Sequence, residues 1–393
     1  MSGDSRTGVW LIGARGSVAT TTAVGAAAVG AGLVDPTACV TESADFSGTT
    51  LAPLNELVFG GHDVVGTPLP KRAEELARSG VIPPRLLDAV HDRLMDADTE
   101  IRAGYDADDE IDCQAATAER LVDDIVRFRE RHRTARTVVI NVASSEPPLD
   151  KHRQYADLEE LEHALARPGR PLPPSSLYAY AALRAGCGYV DFTPSPGARV
   201  PALDVLARAH RVPYAGSDAK TGETLVKTAL APMFAARALH IRSWSGTNLL
   251  GGGDGATLAD SGARRSKSLS KDRPLAGILG RPVEGKTHID NVPSMGEWKT
   301  AWDHIQFEGF LGVPMTLQFT WQGCDSALAA PLVLDLARLV ARAQEAGRTG
   351  PLPELGFFFK DPVGLNEHRL LPQYEVLLSW VHGLNEGVAG EGV

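Results

Sequence analysis

The stretch GVWLIGARGSVATT, Gly8–Thr21, decides the fold because it joins an apolar run, a turn of small residues and the start of a helical pattern. The run Val9–Ile12 predicts a short buried strand, and the Ala- and Thr-rich residues after the turn predict a helix. Gly13 and Gly16 stand in the turn as G-x-x-G, which is shorter than the complete G-x-G-x-x-G pattern. Small residues there let the backbone approach a pyrophosphate, which a helix N-terminus attracts. We therefore predict either a dinucleotide site or an ordinary strand-to-helix turn.

The same alternation of apolar strands and helical segments continues from this unit to about residue 240. It predicts a parallel α/β sheet. After Ile241 the chain becomes rich in strand-forming residues, which predicts an inserted α+β region. A long helical pattern, SALAAPLVLDLARLVARAQEAG, then leads towards the C-terminus.

Composition narrows the class of protein. The chain has 393 residues, of which 43% are hydrophobic, and a formal net charge of −10, so it can bury a large core and does not resemble a nucleic-acid binder. The four cysteines lie far apart, which favours reduced thiols over a disulfide framework or a zinc site. We predict no metal, no signal peptide, no membrane span and a cytoplasmic protein.

Charge near the first turn bears on which dinucleotide would bind. No Lys or Arg occurs between Arg15 and Lys71, so the region around Glu42 and Asp45, after the presumed second strand, lacks a cation for a ribose 2′-phosphate. This favours NAD over NADP, unless Arg15 itself turns towards that phosphate. The loops NVASSEPP (Asn141–Pro148) and DFTPS (Asp191–Ser195) follow apolar runs and should meet the cofactor at the carboxyl edge of the sheet. The predicted cofactor residues on these grounds are Gly13, Ala14, Arg15, Gly16, Ser17, Val18, Ala143 and Ser144.

Further motifs carry charge or glycine at the positions that bind anions. GSDAKTGETLVK, Gly216–Lys227, can cradle a phosphate on backbone amides, or can simply cap a helix. GARRSKSLSK, Gly262–Lys271, gathers four cations and is either a solvated surface or an anion site. In GFFFKDPVG, three phenylalanines precede Lys360, so we expect this lysine to be partly buried and able to release its proton.

Taken in order, GSDAKTGET, GGGDG, RRSKSLSK, EWKTAWD, CDSALAAP and FFFKDP resemble the myo-inositol-1-phosphate synthase family. The resemblance spans about residues 8–364. It implies an NAD-dependent isomerase that cyclises D-glucose 6-phosphate to 1D-myo-inositol 3-phosphate by oxidation, enolisation, aldol closure and re-reduction. It also implies a homotetramer, and a Rossmann-like NAD domain (1–240 plus 355–393) with an inserted catalytic and oligomerisation domain (241–354).

The resemblance assigns roles to particular residues. It implies a catalytic role for Lys267, Lys299, Lys360 and Asp218. It implies substrate binding by Lys271, Lys299, Thr221, Gly222, Glu223, Thr224, Asp254 and Asp325. It places Asp218, Asp254, Asp325 and Ser326 beside the cofactor, and it requires no metal.

Two departures from the family pattern leave alternatives open. Glu223 stands where eukaryotic members have glutamine, so its carboxylate should point away from a bound phosphate. Asp361, next to Lys360, could hold that lysine charged. The open alternatives are a cyclase that closes a five-membered ring from fructose 6-phosphate, a plain NAD-dependent dehydrogenase of a sugar phosphate, and a non-catalytic regulator that binds both ligands.

Overall fold

The fold contains two β-sheets, a seven-stranded parallel sheet and a smaller four-stranded sheet. The computed structural model describes residues 6–149, 153–251, 275 and 277–386. In chain order the strands are β1 (Thr7–Ile12), β2 (Leu57–Asp63), β3 (Ile101–Ala103), β4 (Arg136–Asn141), β5 (Gly188–Asp191), β6 (Pro213–Gly216), β7 (His240–Leu250), β8 (Thr287–Asn291), β9 (Trp298–Glu308), β10 (Pro314–Cys324) and β11 (Gly350–Pro351).

Helices connect these strands and cover both faces of the larger sheet. They are α1 (Ser17–Gly30), α2 (Leu69–Arg78), α3 (Leu87–Thr99), α4 (Gln114–His132), α5 (Leu158–Leu165), α6 (Pro174–Arg184), α7 (Pro201–Ala209), α8 (Glu223–Ala236), α9 (Asp325–Glu345) and α10 (Leu370–Glu386). Within the part of the chain that the structure describes, no helix is long and apolar enough to cross a membrane.

The larger sheet has the strand order β11-β6-β5-β4-β1-β2-β3, and every neighbouring pair in it is parallel. Six of these strands follow the order 3-2-1-4-5-6, which defines the Rossmann arrangement. The order reverses beside β1, so the turn after β1 lies at the crevice where such sheets bind ligands. The predicted α/β fold with a Rossmann-like sheet is confirmed.

Alternation along β1 explains why both faces are covered. Val9 and Leu11 join the core with α1 and α9, whereas Trp10 and Ile12 join the core with α4, α6 and α7. Successive side chains of a strand point to opposite faces, so a strand without polar positions must be covered on both. This is why the short apolar run after Gly8 predicts a central strand.

The smaller sheet has the order β10-β9-β7-β8, with β9 antiparallel to both of its neighbours. One face packs on α8, where Phe234, Trp244 and Ile305 form the core. Long helix α9 then returns to the larger sheet, and β11 pairs with β6. Helix α9 and strand β11 thus pack with the larger sheet, although both precede residue 355, where we predicted that the NAD domain resumes. The division into domains stays a prediction.

Candidate active site

A cavity of about 1160 Å³ opens at the carboxyl ends of β1, β2 and β4. Loops from the smaller sheet and from the segment before α10 also line it, so residues far apart in sequence face one space. The predicted residues on its wall are Gly13, Arg15, Gly16, Ser17, Val18, Ala143, Ser144, Asp218, Thr221, Lys299, Asp325, Ser326 and Lys360.

The glycine turn after β1 has the shape that a dinucleotide requires. Gly13 has a φ of +81°, and a Cβ at this position would lie 2.9 Å from the Cα of Ala143. Gly16 is the N-cap of α1, and no side chain caps the first turn of this helix. Its amide N–H groups therefore remain available to an anion, and the neighbouring turn leaves room for one. These residues fit a pyrophosphate.

The end of β2 corrects the expected position of the second strand. Sequence reasoning placed the second strand before Glu42 and Asp45, but the structure places it at Leu57–Asp63, so the acid at the strand end is Asp63. Glu42 instead pairs with Arg338. The strand was missed because Gly60 and Gly61 interrupt its apolar pattern. Asp63 lines the cavity at the position where Rossmann folds carry the acid that binds ribose hydroxyls.

Asp218 and Lys360 form a buried ion pair on the cavity wall, 142 residues apart in sequence. The Lys360 Nζ lies 2.6 Å from Asp218 Oδ1, and the two residues are 7% and 3% exposed. Their backbones also bond, because the Lys360 amide donates to the Asp218 carbonyl at 2.7 Å. Asp361, the expected partner, pairs with Arg199 at 2.7 Å instead, so that expectation is wrong. The carboxylate that meets the Lys360 ammonium belongs to Asp218.

A second lysine–aspartate pair joins the smaller sheet to α9. Lys299, in β9, places its Nζ 2.9 Å from Asp325 Oδ2 at the start of α9. The Thr221 hydroxyl donates to the other oxygen of Asp325 at 3.4 Å. The cavity wall thus carries two ammonium groups, each beside a carboxylate, and a hydroxyl from the GSDAKTGET turn.

Several predicted residues lie elsewhere. Glu223 and Thr224 are buried away from the cavity wall; Glu223 lies 2.6 Å from the Lys227 ammonium and accepts from Asn248 at 2.7 Å. The Glu223 side chain therefore points away, as its charge led us to expect. Ala14 and Gly222 are also absent from the wall. Asp254, Lys267 and Lys271 lie outside the described residues.

Two sets of wall residues escaped the sequence analysis. Glu146, in the NVASSEPP loop, accepts from the backbone N–H and the hydroxyl of Ser175 at the start of α6, and burial raises the pKa of its carboxyl. Arg72 donates to the Ser17 hydroxyl at 2.7 Å and to Glu297 at 3.0 Å. The loop position hinted at Glu146, but Arg72 and Glu297 stand 225 residues apart and gave no local signal.

The arrangement suits chemistry on an anionic, oxygen-rich substrate. The ammonium groups of Lys299 and Lys360 can stabilise negative charge that develops on a substrate oxygen. A buried lysine held by a carboxylate can also donate or accept a proton. The glycine turn lines the same cavity and fits a dinucleotide, so the cavity can hold a redox cofactor beside these acid–base groups.

Comparison with known sequences agrees with this geometry. A family model described as myo-inositol-1-phosphate synthase, of an NAD-binding class, matches residues 7–382. The chain is 32% identical to inositol-3-phosphate synthase 1 of Bacteroides thetaiotaomicron, over 95% of this chain and 93% of that protein. It is 31% identical to the inositol-3-phosphate synthase of Trypanosoma brucei brucei, over 72% of this chain and 57% of that longer protein.

Solved structures with the same fold are similar to this chain over nearly its whole length. An inositol-3-phosphate synthase of Caenorhabditis elegans superposes with a TM-score of 0.83 at 23% identity, covering 97% of this chain and 86% of that one. A myo-inositol-1-phosphate synthase-related protein of Thermotoga maritima gives a TM-score of 0.77 at 21% identity, covering 96% and 98%. At these identities the matches show the fold.

Proposed function

The chain belongs to the myo-inositol-1-phosphate synthase family, and we propose on that premise that it converts D-glucose 6-phosphate to 1D-myo-inositol 3-phosphate with NAD. The observation that carries the proposal is the pair of lysine–aspartate contacts, Lys360–Asp218 and Lys299–Asp325, on the same cavity wall as the glycine turn. A reaction that forms and removes oxyanions at several carbons needs such cations beside a redox cofactor.

The residues of the glycine turn and of β2 fit the cofactor. We assign the pyrophosphate to the amides that follow Gly16 and the adenosine ribose to Asp63, with Ala143 and Ser144 across the turn. NAD bound there would accept the hydride that leaves C5 of the sugar and would return it to the same carbon. The net redox change over one turnover is therefore zero.

The lysines act on the substrate in this proposal. Oxidation at C5 acidifies the C6 hydrogens, and Lys360, held by Asp218, is placed to move a proton and to stabilise the enolate oxygen. The enolate carbon C6 then attacks the C1 aldehyde, and a cation is needed at the new alkoxide. On the basis of the resemblance, we assign Lys267 to the same proton transfer and charge stabilisation. We assign binding of the phosphate to Lys271, Lys299 and the amides around Thr221.

Product identification tests the proposal. The purified protein is incubated with NAD and glucose 6-phosphate or, separately, fructose 6-phosphate, and products are identified by NMR while NADH absorbance is followed. We expect inositol phosphate from the glucose ester and no net growth of NADH. A five-membered carbocycle from the fructose ester, stoichiometric NADH, or binding of both ligands without turnover would each select one of the alternative functions.

We also propose a homotetramer located in the cytoplasm. Apolar side chains lie exposed on β9 and in the β9–β10 turn, namely Trp298, Trp302, Phe310, Leu311 and Val313. Such a surface favours association with a second copy. All four cysteines are free thiols, which fits a reducing compartment. Light scattering during gel filtration measures the mass, and a monomer would contradict the assembly.

A further inference from the structure

Arg15 brings a guanidinium into the cofactor part of the cavity, next to the end of β2. Its backbone N–H donates to Asp63 Oδ2 at 2.6 Å, and Asp63 also accepts from the Val65 amide at 2.7 Å. The Arg15 side chain donates through Nη1 to the Val65 carbonyl at 3.1 Å. Arg15, Asp63 and Val65 all line the cavity. A cation therefore lies beside the acid that fits ribose hydroxyls, although the stretch between Arg15 and Lys71 contains no Lys or Arg.

Asp98 holds this guanidinium in place. The Arg15 Nε lies 3.0 Å from Asp98 Oδ1, and neither side chain is more than 18% exposed. The same carboxylate oxygen accepts the Leu69 amide, the first N–H of α2, at 3.0 Å. Asp98 is thus held by the N-terminus of α2 as well as by Arg15, which limits the movement of the Arg15–Asp98 pair.

The second arginine on this part of the wall has carboxylate partners too. Arg72 pairs with Glu75 at 2.9 Å and with Glu297 at 3.0 Å. Arg15 and Arg72 are therefore each compensated by an acid from this chain. An additional phosphate on the ribose would meet the Asp63 carboxylate and cations that are already neutralised.

We propose that Asp98 is a specificity-determining residue, which selects NAD over NADP by pairing with Arg15 and keeping that guanidinium from a ribose 2′-phosphate. The inference rests on the proposed dinucleotide site and explains how a cation in the glycine turn remains compatible with NAD. A guanidinium released from Asp98 could reach towards the β2 end, where arginine accommodates the 2′-phosphate in NADP-binding Rossmann folds. Arginine matches phosphate geometry through paired N–H donors.

Asp98→Asn tests the inference with little risk to folding, because the amide oxygen can still accept the Leu69 N–H while the negative charge that holds the Arg15 guanidinium is removed. Calorimetric titration of the full chain, freed of copurified nucleotide, with NAD and with NADP gives the ratio of the two affinities without any activity assay. We expect wild type to prefer NAD and Asp98→Asn to shift the ratio towards NADP by about tenfold, the effect of one new charge-assisted contact. The affinity for NAD should change little.

Two further variants separate the proposed cause from a general change of charge. Asp96→Asn alters the net charge equally at an exposed position on the same helix and should leave the ratio at its wild-type value. Arg15→Met combined with Asp98→Asn should abolish the gain in relative NADP affinity, because the guanidinium that would bind the 2′-phosphate is then absent. Two results would overturn the role of Asp98 but not the dinucleotide site. One is the same ratio of NADP to NAD affinity in Asp98→Asn and Asp96→Asn, and the other is a gain in relative NADP affinity that survives without Arg15. Failure of wild type to bind either nucleotide would overturn the dinucleotide site as well.

Discussion

Lys360 is the residue whose replacement tests the catalytic assignment most directly. Lys360→Met keeps a long apolar side chain but removes the ammonium that lies 2.6 Å from Asp218. Lys360→Arg keeps a positive charge but cannot readily release a proton. The two variants together distinguish a proton-transfer role from that of a fixed charge.

The expected magnitudes follow from burial. Lys360 is 7% exposed, so its loss leaves the buried Asp218 carboxylate without this cation, and breaking a buried pair on one side costs about 3–5 kcal/mol of folding stability. The loss of a proton-transfer group lowers kcat by about 10²-fold or more, which equals about 2.7 kcal/mol in the activation barrier. Both variants should show the kinetic loss if Lys360 transfers a proton.

The assay measures kcat for glucose 6-phosphate cyclisation at saturating NAD, together with urea unfolding. Lys220→Met is the matched control, because Lys220 is equally buried at 4% exposure but bonds to Gln373 and does not line the cavity. This control should retain kcat. Adding Asp218→Asn to Lys360→Met should restore stability without restoring activity, since the buried negative charge is then gone.

The outcome that refutes the reasoning is a folded Lys360→Met enzyme within about threefold of wild-type kcat, a difference too small for a lost general acid or base. Full activity in Lys360→Arg with loss in Lys360→Met would instead limit Lys360 to a fixed charge.

Three further predictions concern the cofactor turn, the phosphate and pH. Gly13→Ala should weaken NAD binding in calorimetry and cost about 1–2 kcal/mol of stability, because its φ is +81° and the new Cβ would meet Ala143 at 2.9 Å; unchanged binding would contradict the role of the turn. Lys299→Ala and Lys271→Ala should each weaken the binding of glucose 6-phosphate by about 1.5–3 kcal/mol and so chiefly raise KM. Unchanged KM in both variants would show that these lysines do not bind the phosphate. Burial lowers the pKa of Lys220 from 10.5 to about 7, so the unfolded chain binds more protons between these values and the free energy of unfolding should rise with pH there, by up to about 1.4 kcal/mol per unit. Lys220→Met should remove this rise from the pH series of urea unfolding, and an identical pH slope in both proteins would disprove the effect.

Local pattern in the sequence determined the architecture. The run Val9–Ile12 with the turn after it predicts the central strand and α1, and alternating strands and helices predict the parallel sheet. Apolar periodicity reports which faces are buried, and this depends on neighbours in sequence alone. The six ordered motifs likewise identified the family, because each is contiguous. The prediction failed at β2, where two glycines interrupt the apolar run: a Cβ at Gly61 would collide with the Leu11 carbonyl, so packing requires glycine where strand propensity disfavours it.

Only the tertiary structure decided which charges meet. Sequence proximity favoured Asp361 as the partner of Lys360, but the fold pairs Lys360 with Asp218, because the segment before α10 bonds to the turn that follows β6. The Arg15–Asp98 contact and the position of Asp63 depend in the same way on which strands are neighbours. Charge pairing acts over a few ångströms in space and can join residues more than a hundred positions apart, so it follows from strand order and not from local pattern.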